Sequence, residues 1–481
     1  MTSKFLSLNP FTENSISGPC VLPEYYGIYL DAGLPLSLVT LDQSCAQGWG
    51  RDQLPQPSGY SFLLYETEGK QLVWLEKASI DKRLEDLLPS NSNTLTDFWT
   101  ALPQVEFGDK VTHAEDTSSG QQVLTPPRLE YNKYDIHYET PTAALLSIDA
   151  KNAKYIDTLI PPFWKSKLVP VNPSATGPLL VAPKTQAFLR NTLRDLNFDP
   201  VVASIVGNIS LPQIKNDAHF LTGEDSNSGI ISRHSFTTGA LKTAEWLLER
   251  VEGTGAKCRL MPFLEGFAPN VICRYDAIKK TNATVIVSGH YDSRGSFGMT
   301  RAPGGDDDGS GTTGVLSIAR TIGRRGVKFH SNVELCFFAG EEQGLLGSKA
   351  YALELSSQQV NVTMMIQADM TAYRVPGEPL QLGLPERIGT PEVTELVGKA
   401  ASLYSPELTI GLSSACCSDH QSFWELGYPS TQVFERAGPI ADPMYHNSGD
   451  LTDREGYSFE QLYAIAKVQF ASLLHVAGFE H

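Results

Sequence analysis

The sequence predicts an α/β protein preceded by a smaller, mostly β region, and three observations carry that prediction. From about residue 184 onward, short β-branched runs alternate with longer segments of helical periodicity, the signature of a sheet with crossover helices. The first 180 or so residues are instead rich in Pro, Gly, Ser and Thr, with short alternating segments such as YSFLLYETEGKQLVWLEK. At 481 residues the chain also exceeds the usual size of one domain. Residues 1–180 are accordingly read as an accessory domain or prosegment, and 181–481 as a second domain able to bury a large core.

Within the first region, TPPRLEY (125–131) and VPVNPSATGP (169–178) are linker or turn segments, the second marking the boundary. Beyond it the elements come in order. Helical spacing of apolar residues runs through 184–196 and 237–251, followed by a strand, TVIVSG, at 284–289. A helix at 311–325 leads to the strand NVELCFFAG (332–340), and a helix at 342–355 to VTMMIQAD (362–369). A helix at 391–404 and a last strand, STQVFE (430–435), complete the pattern. No internal repeat interrupts it.

Bulk properties exclude several classes of function. With 41% hydrophobic and 19% charged residues, the chain is neither fibrous nor disordered. A net charge of -16, with no compensating Lys/Arg block, argues against nucleic acid and anionic membranes as partners. No apolar run reaches the roughly 18 residues of a transmembrane helix. In MTSKFLSLNPFTENSISG, Pro10, Glu13 and Asn14 break any leader-like apolar core, so no signal peptide is visible. Against that stand sequons at Asn208, Asn282 and Asn361, and seven cysteines. Cys258 and Cys273 flank a strand-turn-strand, Cys20 and Cys45 could close a loop, Cys416 and Cys417 are adjacent, and Cys336 stands alone in an apolar strand. The pattern favours a secreted protein; a vacuolar or cytoplasmic one with reduced thiols is the alternative. Oligomeric state is not written in the sequence.

Four acidic or histidine clusters fall just after the predicted strands: His290 with Asp292 in GHYDS, the aspartates 306–308, Glu341 with Glu342, and Asp369. Ligands of α/β sheets gather outside the carboxyl ends of the strands, so these clusters are placed to meet. A set of His, Asp and Glu without Cys suits zinc, cobalt or manganese in a site with open positions. A single such residue is more often an ordinary hydrogen-bonded side chain. Four in register are harder to dismiss.

GHYDS, APGGDDDGSG, FFAGEEQGLLGS, QADMTAY, SDHQSFWELGYPS and DPMYHNSGD, in this order, resemble the motifs of the co-catalytic di-zinc aminopeptidases, metallopeptidase family twenty-eight. The likeness runs from roughly residue 184 to the end. It implies a three-layer zinc-exopeptidase fold, with a central mixed, mostly parallel twisted sheet flanked by helices, and a catalytic domain over 181–481. It also implies two zinc ions per chain, His290 and Asp369 holding one, Glu342 and His446 the other, and Asp307 bridging them. Asp292 would orient the imidazole of His290. Glu341 would act as general base on a bridging zinc-bound water, and peptide or protein N-termini would be the substrate. A cis peptide between Asp307 and Asp308 is expected from the same family.

The chain departs from secreted bacterial relatives where Ser413 replaces the first Cys of a Cys-x-x-x-Cys pair ending at Cys417, so Cys416 and Cys417 either form a vicinal disulfide or include a buried thiol. Ala415 stands where those relatives carry a Tyr. Met370, Cys417 and Ser418 are candidates for the substrate pocket, with an apolar first side chain as the expected preference. The GxGxxG match at Gly309–Gly314 follows three aspartates and no strand, and is read as the start of a helix rather than a dinucleotide site. Asp419 and Asp450 are candidate partners of the ligands, and His420 a structural residue. A glutaminyl cyclase, a carboxypeptidase and a non-catalytic module with the same fold are the competing readings.

Overall fold

The computed structural model describes residues 3–11, 21–41, 61–66, 68–87, 94–104, 133–174, 177–296 and 301–481. Cys20, Cys45 and the segment 125–131 lie outside them. The described residues form two compact units, the first within Met1–Ser79, Leu88–Thr112 and Thr125–Leu179, the second within Ile80–Leu87, His113–Leu124 and Leu180–His481.

In the first unit, β1 (Ser3–Pro10), β2 (Val21–Asp31), β3 (Leu34–Leu41) and β4 (Ser61–Glu66) make a sheet of order β2-β3-β1-β4. A second sheet, β6-β7-β5-β8, is built from β5 (Lys70–Lys77), β6 (Tyr134–Glu139), β7 (Ala143–Asp149) and β8 (Trp164–Leu168). All neighbours are antiparallel. The period of two along a strand sorts β5 cleanly. Leu72 and Trp74 join Leu6, Leu8 and Leu38 in one core, while Val73 and Leu75 join Phe98, Leu102 and Ile156 in another.

The second unit carries β9 (Lys257–Met261), β10 (Asn270–Tyr275), β11 (Ala283–His290), β12 (Lys328–Phe329), β13 (Asn332–Phe338), β14 (Asn361–Ala368), β15 (Gln381–Pro385), β16 (Thr409–Ser413), β17 (Ser430–Val433) and β18 (Phe479–Glu480). Its main sheet has the order β17-β14-β11-β13-β10-β9. β17, β14, β11 and β13 are parallel, and β10 and β9 add antiparallel edges. Helices cover both faces, as alternation along the strands requires. Val285, Val287, Leu335 and Phe337 pack with the helices Gly309–Arg325 and Phe459–Ala477; Ile286, Cys336 and Phe338 pack on the opposite side with Leu346–Ser357. This is the expected three-layer arrangement. The register sets Cys258 opposite Cys273, and the two form a disulfide. Cys416 and Cys417 are also disulfide-paired, while Cys336 is a buried free thiol.

Helix Leu346–Ser357 begins four residues later than its apolar pattern suggests. Gly340, Gly344 and Leu345 all have positive φ, so the chain turns before the helix starts, and Glu341 and Glu342 stand in that turn. The helices Pro200–Val206, Leu211–Thr222 and Phe459–Ala477 were not singled out in the sequence. Among the described residues, no helix is long and apolar enough to cross a membrane.

Candidate metal centre

The chain leaves β11, crosses one face of the sheet as Gly309–Arg325, and enters β13 beside β11; it then returns on the other face to β14 on the far side of β11. That reversal opens a crevice at the carboxyl ends of these strands. His290 is the last residue of β11, Glu341 and Glu342 follow β13, and Asp369 follows β14.

Two groups of donors converge there, His290 with Glu341 and Asp369, and Asp307 with Glu342 and His446; within each, the ligand atoms lie within 4.8 Å of one another. Asp307 faces both. Its Oδ1 is 3.3 Å from Nε2 of His290 and its Oδ2 is 3.2 Å from Nε2 of His446. His290 Nε2 is also 3.7 Å from Asp369 Oδ1, and His446 Nε2 is 3.0 Å from Glu342 Oε2. His290 is fully buried, whereas Asp307, Glu341, Glu342, Asp369 and His446 keep 5 to 7% exposure.

Asp292 stands behind His290. Nδ1 of the ring lies 3.1 Å from the Asp292 carbonyl oxygen and 3.5 Å from Oδ1, which holds the proton on Nδ1 and leaves the Nε2 lone pair facing the acids. Ser235 donates to Asp292 Oδ2 at 2.9 Å, and the backbone N–H groups of Glu341 and Glu342 point at the same carboxylate at 3.4 Å.

The loop carrying Asp307 is secured by charged groups on either side. Asp308 caps the helix Gly309–Arg325 through Gly311 N at 2.8 Å and also accepts from His290 N at 3.0 Å and Met370 N at 3.2 Å. Gly311 is needed for this approach, because a Cβ there would lie 2.4 Å from Asp308 Oδ1 and 2.6 Å from the Ala368 carbonyl oxygen. The GxGxxG match is thus helix packing. Asp450 accepts from the backbone of Asp306 and Asp307 and from Arg454 Nη2, each at 2.9 to 3.1 Å. Arg233, completely buried, donates to the carbonyls of Tyr291, Leu221, Pro303 and Gly304. The Asp307–Asp308 peptide is cis, as expected from the resemblance.

The electrostatics favour a cation. Burial opposes charge on His290, but the Glu341 charge and the nearby carboxylates of Asp292, Asp307 and Asp369 outweigh it and raise the ring's pKa well above the ordinary value. Burial likewise pushes the Asp307 carboxyl up, yet His290 and His446 more than offset this and hold it well below the usual range. Nε2 of His290 and Oε1 of Glu342 are buried without a hydrogen-bond partner. Unsatisfied imidazole and carboxylate donors in an anionic cleft fit a borderline-hard divalent ion such as zinc.

Two of the remaining candidates, Asp419 and His420, have structural partners. Asp419 accepts from Gln367 Nε2 at 3.2 Å, and His420 Nε2 meets the Ile388 carbonyl at 3.0 Å. Burial pushes the Cys336 thiol up, which suits a core residue rather than a nucleophile. Met370, Cys417 and Ser418 are all buried. Arg233, Ser235, Arg294 and Asp308 were missed as functional residues. Asp308 had a signal, as the third aspartate of the run and a helix cap, and Arg294 lies within the GHYDSRGS stretch; Arg233 had none.

Comparison with known proteins agrees with this geometry. Residues 270–470 match the sequence profile of peptidase family M28. The matched segment contains all six of the residues converging in the crevice. Leucine aminopeptidase 1 of Metarhizium robertsii is 30% identical over 261 residues, 49% of this chain and 63% of that protein. Leucine aminopeptidase 1 of Trichoderma harzianum is 32% identical over 259 residues, again 49% and 63%. The chain thus spans about three fifths of the length of these relatives. The LapA aminopeptidase of Legionella pneumophila has a TM-score of 0.57 and 15% identity, covering 85% of this chain and 98% of that one. At that identity the likeness is one of fold.

Proposed function

We propose that this protein is a zinc-dependent aminopeptidase that removes N-terminal residues from peptides or proteins, using two metal ions. The observation that carries the reading is the carboxylate of Asp307, with one oxygen toward His290 and the other toward His446 at 3.3 and 3.2 Å. A carboxylate so shared is what a pair of adjacent ions requires. On this reading His290, Asp307 and Asp369 would hold one zinc ion, and Asp307, Glu342 and His446 the other. When bound, the ions would acidify a water and polarise the scissile carbonyl. Glu341, beside His290 and Asp369, would take the proton and return it to the leaving amine. Asp292 would keep the His290 ring oriented. Met370, Cys417 and Ser418 would border the pocket for an apolar first side chain.

The test is hydrolysis of leucine-p-nitroanilide by the purified chain, before and after chelation and with zinc restored. Activity that disappears on chelation, returns with zinc and falls about 10²- to 10⁴-fold in Glu341→Gln is the expected result. A protein that binds zinc but hydrolyses no N-terminal residue would overturn it. The Cys258–Cys273 disulfide and three exposed sequon asparagines, Asn208, Asn282 and Asn361, support secretion as part of the same proposal. A mass decrease on deglycosylation of the native protein checks it.

A further inference from the structure

The two histidines of the site have opposite neighbours behind them. The Nδ1 side of His290 faces an anion, with Asp292 Oδ1 at 3.5 Å. The Nδ1 of His446 lies 3.0 Å from Nη1 of Arg294, a guanidinium only 5% exposed. An anion behind a ligating imidazole makes it a better metal donor. A permanent cation does the reverse, because it repels an ion bound across the ring, and little water is present to screen it.

The hydrogen bond adds to this. Guanidinium offers only donors, so Nδ1 of His446 accepts from Arg294, and this contact holds the charge directly behind the ring whose Nε2 faces Asp307 and Glu342.

We propose that Arg294 makes the Asp307/Glu342/His446 position the weaker of the two, so that the chain fills the His290/Asp307/Asp369 position first and exchanges the other ion readily. The inference rests on reading the two clusters as metal positions. Arg294 acts here as a positioning residue, through His446.

Calorimetric titration of the metal-free full-length chain with zinc tests it. The wild type should bind in two separate steps, with Glu342→Gln deleting the weaker and Asp369→Asn the tighter. Arg294→Met should tighten the weaker step by about tenfold or more and leave the tighter one in place. Arg294→Lys, which keeps the charge, should stay near the wild type. Should circular dichroism show that Met at this buried position unfolds the chain, Arg294→Gln carries the same expectation. Two equal steps in the wild type, or a weaker step unmoved or weakened by removing the charge, would sink the proposal while leaving the metal reading intact. No zinc binding in any variant would defeat the metal reading itself.

Discussion

His290 and Asp369 sit at the ends of neighbouring parallel strands, whereas Asp307 and His446 sit on loops, and the two pairs are secured differently. The strand-end residues take their positions mainly from the ladders of β11 with β13, which includes His290, and with β14, which ends two residues before Asp369. The loop residues depend on buried charge: Asp450 on the backbone of Asp306 and Asp307, Arg454 on Asp450 and Asp442, Arg233 on the carbonyls before Asp307. A sheet supplies position through a repeating hydrogen-bond pattern, but a loop must have each backbone group satisfied separately. The difference predicts that damage should concentrate on the loop side.

The largest effect is expected from Asp307→Ala, which removes the donor shared by both clusters. Hydrolysis should fall about a thousandfold or more, roughly 4 kcal/mol, with zinc binding lost in both steps. Asp450→Ala comes next. It leaves the Asp306 and Asp307 N–H groups and part of Arg454 buried without their acceptor, and denaturant unfolding should show a loss of about 3–5 kcal/mol. Gly304→Ala should cost about 2–3 kcal/mol and weaken zinc binding, because φ is +55° and the new Cβ would meet the Asp307 carbonyl oxygen at 2.4 Å.

Glu224 ties the loop Leu451–Asp453 through Thr452 N at 2.9 Å, Thr452 Oγ1 at 2.7 Å and Asp453 N at 2.8 Å. Burial raises its pKa, but the hydrogen bonds from Thr222, Thr452 and Asp453 outweigh that and hold it below 4.5. A depressed carboxyl stabilises the fold above its unfolded pKa and loses that contribution as pH falls through the folded one. Glu224→Gln should therefore cost about 1–2 kcal/mol at pH 7, with the difference fading below about pH 4.5 in paired unfolding curves. The strand side supplies the contrast. Ser235→Ala, which removes a hydrogen bond to Asp292 and the acceptor of Gly340 N, should cost only about 1–2 kcal/mol. A Ser235→Ala loss larger than that of Asp450→Ala would break the comparison.

The strand-end residues were legible because they follow recognisable strands, and period-two alternation locates a strand end to within a residue or two. TVIVSG points to His290, and VTMMIQAD ends on Asp369 itself. The aspartates 306–308 were picked out as a cluster, but the choice of Asp307 as the shared donor, and His446 altogether, came only through the resemblance to a family, and in the structure neither directly follows a strand. The supports of the loops were mostly hidden. Arg233 lies 74 residues before Asp307 in the sequence, and only the folded chain brings its guanidinium to Gly304. The start of Leu346–Ser357 was misread because apolar spacing continues through Gly344, while the turn is set by backbone angles that spacing does not record.

By itself, the sequence determined the alternation of strands and helices, the acidic cleft at the strand ends and the donor types suited to zinc, since each is written in local spacing and residue chemistry. Tertiary structure alone decided that Asp307 faces two histidines, that Cys258 meets Cys273, and that the rings of His290 and His446 are backed by opposite charges. Those depend on which distant segments the sheet order brings together, and a contact between distant segments leaves no period in the chain.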